Sequence, residues 1–134
     1  MGKEFQLKII NSKEIIFDKL ITNVVIPGIE GEFGVLYDHA PFISLIAPGI
    51  IKAQIQSSDG VKYFVYDGMV SVESNTTLII VEFIVDMQTV SKNEVNSTMS
   101  LYKEKLHTID DIKNSEHLYI QNKISQYNAL LEYL

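Results

Sequence analysis

All seven glycines and all three prolines of this chain lie at or before Gly68, and from Met69 to Leu134 neither residue occurs. Because Gly and Pro are the strongest punctuators of regular structure, the two stretches must be built differently. Ile, Val and Thr, which favour strands, account for 27 of residues 1–86 but only 9 of residues 87–134. The pattern predicts an α+β chain: an N-terminal antiparallel β-sandwich over residues 1–86, then a C-terminal antiparallel two-helix hairpin over residues 87–134, hinged near 86–90.

Within the first part apolar residues alternate with polar ones. Phe5, Leu7 and Ile9 oppose Glu4, Gln6 and Lys8, and Ile51, Ala53 and Ile55 oppose Lys52, Gln54 and Gln56, the period of half-buried strands. Turns are expected at Asn11-Ser12, Pro27-Gly28, Pro48-Gly49, residues 57–60, Asp67-Gly68 and Ser74-Asn75. The apolar run 78–85, broken only by Glu82, is expected to be an inner strand buried on both faces.

Ser91 followed by Glu94 has the spacing of a capping box, so a helix should begin near Lys92. Val95, Met99, Tyr102 and Leu106 then recur at intervals of 4, 3 and 4, one stripe of an amphipathic helix. After the polar stretch 107–115, Ile120, Ile124, Tyr127, Leu131 and Leu134 predict a second helix. A hairpin of two such helices is marginal alone and must lean on something. Its stripe serves either as core or as a face for another partner.

Composition narrows function. The 134 residues suit one ordinary domain with a small appendage, and 46% hydrophobic with 21% charged residues predicts a folded, soluble chain. No cysteine is present, which removes disulfides, thiolate metal sites and a cysteine nucleophile. No signal peptide, transit peptide or membrane-spanning run is expected from the sequence. The net charge is −6 and all eleven basic residues are lysine. Without an arginine fork, nucleic-acid recognition and a tight nucleotide clamp are disfavoured, and the expected partner is another protein.

Residues 27–34 carry Gly28, Gly31 and Gly34 at every third position. A phosphate loop needs other spacing and a following helix, so these glycines are expected to serve tight turns. The same stretch and its sequel present Glu30, Glu32, Asp38 and His39 beside Pro41 and Phe42, either as an acid/base or metal site or as an exposed partner-binding loop. One histidine without a nucleophile favours the loop. His107 and His117, ten residues apart, match no metal site on a single helix and are expected on the solvated surface.

The string Pro27-Gly28-Ile29-Glu30-Gly31-Glu32-Phe33-Gly34-Val35-Leu36, then His39-Ala40-Pro41, then Pro48-Gly49, resembles the epsilon subunits of bacterial F-type ATP synthases over the whole chain. The resemblance implies a non-catalytic rotor subunit of the central stalk in a proton-translocating complex, coupling c-ring and gamma rotation to ATP synthesis. It implies no cofactor and no metal. Its partners would be the gamma subunit and the c-ring, with the alpha and beta subunits reached by the C-terminal helices. Carried over by position, Glu32 and His39 match loop residues facing the c-ring, and Ala40, Pro41 and Phe42 begin the gamma-facing surface. Contact with the membrane would come only through the complex, on the cytoplasmic face of the bacterial plasma membrane. The homologous mitochondrial delta subunit is the less favoured relation.

Three departures qualify that resemblance. Tyr37-Asp38 stands where the family usually has Pro-Gly. The nucleotide motif found in some relatives, Ile/Leu-Asp-x-x-Arg-Ala, would fall on Val90-Ser91-Lys92-Asn93-Glu94-Val95, where acid and arginine are both absent, so weak or no ATP binding is expected. The similar string 109–114 has Lys and Asn for Arg and Ala. For inhibition of ATP hydrolysis by the hairpin, the chain offers only Lys92, Lys103, Lys105, Lys113 and Lys123. Two other readings remain open: a β-sandwich module binding a small ligand or glycan through Tyr37, Tyr63 and Tyr66, and an enzyme using Glu32, Asp38 and His39.

Overall fold

The computed structural model describes residues 3–56, 58–109 and 114–134. The chain divides into two compact units, Met1–Gln88 and Thr89–Leu134.

The first unit holds eight strands: β1 Phe5–Ile10, β2 Ile15–Ile21, β3 Asn23–Gly28, β4 Gly31–Val35, β5 Phe42–Ile46, β6 Gly49–Gln54, β7 Val61–Glu73 and β8 Thr76–Asp86. They follow the order β2-β1-β8-β7-β5-β3-β4, and β6 pairs with both β3 and β7. The alternation seen in sequence carries this sandwich. Phe5, Leu7 and Ile9 point inward from β1 to meet Ile21, Val24 and Ile26, all buried. Asn11 turns β1 into β2 by accepting the backbone N–H of Lys13 and Glu14 on its Oδ1 at 2.9 Å each, an Asx-type turn. Ser74 and Asn75 close the β7–β8 hairpin with φ of 51° and 58°, the left-handed pair required by a tight two-residue turn.

Four local expectations need correction. The sandwich is antiparallel except where β1 lies parallel to β8; the intervening strands supply the long crossover that a parallel pair needs. The run 78–85 is not buried on both faces. Thr77, Ile79, Val81 and Phe83 are buried, whereas Ile80 is 40% exposed and Glu82 is exposed. A strand of a two-layer sandwich has only one face toward the core.

Asp67-Gly68 is not a turn between strands but a kink inside β7. Asp67 adopts φ 56°, and the inward side shifts by one residue across it: Tyr63 and Val65 face the core before the kink, Val70 and Val72 after it. Residues before the kink pair with β6 and residues after it pair with β5, so one strand serves both layers. Gly68 is demanded by close approach, since a Cβ there would strike the Ile80 carbonyl oxygen and lie 2.8 Å from the Val81 side chain. Pro27-Gly28 forms the last two residues of β3, with the turn itself at the next two positions, between Gly28 and Gly31. Ladder bonding to β6 ends at Val25, and Pro27 uses only its carbonyl, which accepts from Ala47 N–H at 2.8 Å, so the missing N–H costs nothing.

The second unit holds α1 Lys92–His107 and α2 Ser115–Leu131. Ser91 caps α1, its side chain accepting from Glu94 N–H at 3.3 Å, and Asn114 caps α2 through Glu116 N–H at 2.8 Å. Tyr102 stacks on Tyr127 with centroids 6.0 Å apart, and Lys105 pairs with Glu116 at 3.0 Å. The Lys105–Glu116 pair joins the last turn of α1 to the first turn of α2, as in an antiparallel hairpin. Val95 and Met99 are buried, with Tyr102 and Leu106 half-buried.

In α2 the buried side is rotated from the expected stripe. His117, Ile120, Gln126 and Leu130 are buried, while Ile124, Tyr127, Leu131 and Leu134 are half-buried. His117 is therefore not a solvated surface residue: only 6% of it is exposed. The periodic rule weighs residue types, and here packing places an imidazole and an amide on the covered side. His107 is exposed. Most of the string 109–114 lies outside the described residues.

Candidate functional site

The residues singled out between Glu30 and Phe42 occupy a hairpin turn, an edge strand and the loop that follows. Gly28 and Gly31 pair across the β3–β4 turn, and a Cβ on Gly28 would come 2.9 Å from the Phe33 ring. These glycines allow a tight turn against an aromatic side chain, and the next element is a strand rather than the helix a phosphate loop requires. Glu32 sits in that strand, β4, opposite Pro27, and not in a loop as expected. It is exposed, because Phe33 and Val35 take the inward positions.

His39 lies in the loop between β4 and β5. Its Nδ1 is 2.7 Å from the Ala40 carbonyl oxygen; a carbonyl only accepts, so Nδ1 carries the proton and donates. The imidazole edge meets Phe42 at 6.2 Å, and Phe42 meets Phe33 at 5.1 Å and 72°. An aromatic row thus ties the loop to β4 and β5. Ala40 and Pro41 are exposed and Phe42 is 42% exposed. Asp38, at φ 62°, is bonded to Asn75 through both its backbone N–H and its carboxylate.

The alternative sites do not assemble. Tyr63 is buried against Phe17, centroids 6.4 Å apart, and its phenol is held above the ordinary value of 10.0 by burial first and by the Asp86 charge second. Tyr66 is half-buried opposite Phe83, and Tyr37 lies beneath the Lys3 ammonium at 5.1 Å. They offer no common platform. For the acid/base reading, Asp38 is committed to Asn75 and Glu32 projects outward from β4. Among the described residues no three His, Cys, Asp or Glu side chains converge on a metal position. A cavity of about 610 Å³ does occur beside β6 and β7, lined by Asn23, Lys52, Asp59 and Lys62 among others, and its lining includes none of the candidate site residues.

What sequence reasoning missed is an apolar outer face. Ladder partners share a face, so the register aligns Leu45, Met69 and Ile80 in one row and Ile43, Ser71 and Leu78 in the next. Ile43 is 70% exposed, Leu45 59%, Met69 39% and Ile80 40%. The signal was present as unbroken apolar runs, Phe42-Ile43 and Ile79-Ile80-Val81, in which both faces of a strand are apolar. A contiguous patch of that kind marks a surface for another protein.

Comparison with known proteins places this geometry in a family. The fold matches a chain of the Euglena gracilis mitochondrial ATP synthase, in its OSCP/F1/c-ring assembly, with a TM-score of 0.69 at 17% identity, covering 97% of this chain and 81% of that one. A chain of the Tetrahymena thermophila central stalk and c-ring matches with a TM-score of 0.54 at 13% identity, covering 97% and 98%. At those identities the likeness concerns the fold. By sequence, the ATP synthase epsilon chain of Pelagibacter ubique is 30% identical over 131 residues, 97% of this chain and 99% of that relative. The epsilon chain of Allorhizobium ampelinum is 27% identical, covering 97% and 93%. The β-sandwich domain of the ATP synthase delta/epsilon chain matches residues 4–87. With that domain spanning the strand unit and full-length relatives continuing through both helices, the chain belongs to the delta/epsilon family of ATP synthase, as one of its epsilon chains.

Proposed function

We propose that this chain is a non-catalytic rotor subunit of the central stalk in a bacterial, proton-translocating F-type ATP synthase, joining gamma to the c-ring. The observation that carries the reading is the bare apolar face of β5, β7 and β8, with Ile43 and Leu45 more than half exposed. Such a face fits a protein surface and no substrate. Gamma covers it and continues over Ala40, Pro41 and Phe42. Glu32 on β4 and His39 in the next loop meet the polar loops of the c-ring. No helix among the described residues is long and apolar enough to cross a membrane, in keeping with attachment through the complex on the cytoplasmic face of the plasma membrane.

The helical unit is the part that reaches the alpha and beta subunits, where Lys92, Lys103, Lys105 and Lys123 supply the positive charge for restraining ATP hydrolysis; Lys113 lies outside the described residues. Nucleotide is not needed to close it. Ser91, where relatives carry the acid of a nucleotide motif, is occupied as the helix cap, and Glu94 in the first turn repels a triphosphate.

Co-purification tests the reading. The chain should carry gamma with it from native membranes, and Leu45→Glu should abolish that capture without unfolding the chain, since Leu45 is 59% exposed. Retention of gamma by the folded variant would move the interface elsewhere. Titration calorimetry with Mg²⁺-ATP should show no saturable heat at micromolar ligand, and the purified chain should not hydrolyse ATP.

A further inference from the structure

Asp38 and Asn75 stand 37 residues apart and are bonded in both directions: Asp38 N–H donates to Asn75 Oδ1 at 2.7 Å, and Asn75 Nδ2–H donates to Asp38 Oδ1 at 3.1 Å. Both backbones are left-handed, with φ of 62° and 58°, a region that Asn and Asp tolerate better than other residues with a Cβ. The two ends of this clasp differ in kind. Asn75 belongs to the tight turn of the β7–β8 hairpin and is fixed a second time by Gln6 N–H, which donates to its carbonyl at 3.0 Å. Asp38 belongs to the connection between β4 and β5, whose own closure within 36–39 is the bond from His39 N–H to Leu36 O at 3.1 Å.

The clasp passes directly into the partner-facing residues. His39 follows Asp38, its ring is bonded to Ala40 O, and its edge meets Phe42. We infer that Asn75 is a positioning residue: its amide latches the 36–41 loop to the β7–β8 turn and so presents His39 and Phe42 in one orientation before any partner arrives. A loop ordered in advance has less conformational entropy to lose on docking. The inference deepens the proposed function and rests on its assignment of His39 to the c-ring.

The Asn75 amide supplies an acceptor and a donor from two separate atoms, and this clasp uses both. Asn75→Asp keeps the size, the tolerance for φ above zero and an acceptor for Asp38 N–H, but removes the donor and sets two carboxylates against each other, whose repulsion drives the pair apart. Hydrogen exchange on the full chain should show the Asp38 amide exchanging about tenfold faster in this variant, with β8 amides unchanged. Binding to a gamma–c-ring complex depleted of this subunit should weaken several-fold at unchanged Tm. Exchanging the two residues, Asp38→Asn with Asn75→Asp, rebuilds the pair with its polarity reversed and should restore both readouts.

Unchanged protection at Asp38 in Asn75→Asp overturns the latch, and so does a failure of the exchanged pair to restore it. Faster exchange with unchanged binding overturns the positioning role. His39→Ala separates the two readings. If it leaves binding unaltered, the c-ring assignment falls, while exchange at Asp38 still decides the latch.

Discussion

The strand unit and the helical unit of this chain solve the burial problem by opposite means. In the first, Leu7, Ile9, Ile26, Ile51, Val65 and Ile79 are all withdrawn completely from water, and they come from five different strands, so each supports the others. In the second, the fully or nearly fully buried apolar side chains are Ile120 and Leu130, with Val95 and Met99 close behind. Two polar atoms, His117 Nδ1 and Gln126 Oε1, are buried on the same helix without a hydrogen-bond partner among the described residues. A buried aliphatic side chain is worth about 1.5–3 kcal/mol, while an orphaned polar atom costs about 1–3 kcal/mol. The comparison teaches that the strand unit is fixed by its core, whereas in the helices caps and single polar groups make up a large share of the balance.

The contrast is broken most directly in the core. Ile79→Ala should lower the stability of the strand unit by about 3 kcal/mol, read from the midpoint of chemical denaturation; a loss below about 1 kcal/mol would show that β8 is not central to that core. Gln126→Met acts the other way in the helices. Replacing the orphaned amide by an apolar chain of similar length should stabilise α2 by about 1.5 kcal/mol, seen as roughly tenfold slower amide exchange. Faster exchange would mean that Oε1 has a partner.

Ser91→Ala should cost about 1 kcal/mol through the lost cap, with helical circular dichroism reporting fraying at α1. Glu116→Gln should cost under about 0.5 kcal/mol, because the pair with Lys105 is more than half exposed and is screened. At neutral pH the smallest effect is that of tyrosine ionisation, since it appears only at alkaline pH. Tyr63 in the strand unit and Tyr127 in the helices are both pushed above 10.0, chiefly by burial. Below that value both states keep the proton and stability is complete. As pH rises past it the unfolded chain loses the proton first, so stability falls until the folded-state value is passed. Tyr63→Phe should flatten that fall for the strand unit alone, measured as denaturation midpoint against pH.

Much of the architecture was legible because it is written in short-range chemistry. Ser91 and Glu94 announced α1 to the residue, and Ser74-Asn75 announced the final hairpin, because a cap and a tight turn each involve only a few consecutive positions. Asp67-Gly68 has the same chemistry and reads as a turn. A left-handed residue followed by glycine looks alike whether the chain reverses or merely kinks, and only the neighbours β5 and β6 distinguish the two. His117 and Gln126 were invisible as buried groups, since helical periodicity weighs residue type and neither type is apolar. The candidate loop was found from its glycines and prolines, yet its latch was not, because Asn75 is 37 residues from Asp38 and no local pattern joins them.

The apolar face shows where the boundary falls. From the sequence alone follow the division into a strand half and a helical half, the tight turns at Asn11 and Ser74-Asn75, both helices and the α1 cap, and the family likeness, all of which depend on residue type and spacing along a few turns or strands. The tertiary structure decided that β1 lies beside β8, that Leu45, Met69 and Ile80 form one uncovered row with Ile43 in the next, and that His117 is enclosed. An alternating or unbroken apolar pattern states how many faces of a strand avoid water, but not which neighbour covers each face. That depends on ladder register and on layers brought together from distant parts of the chain, where loop closure and packing select among arrangements that local propensity leaves equal.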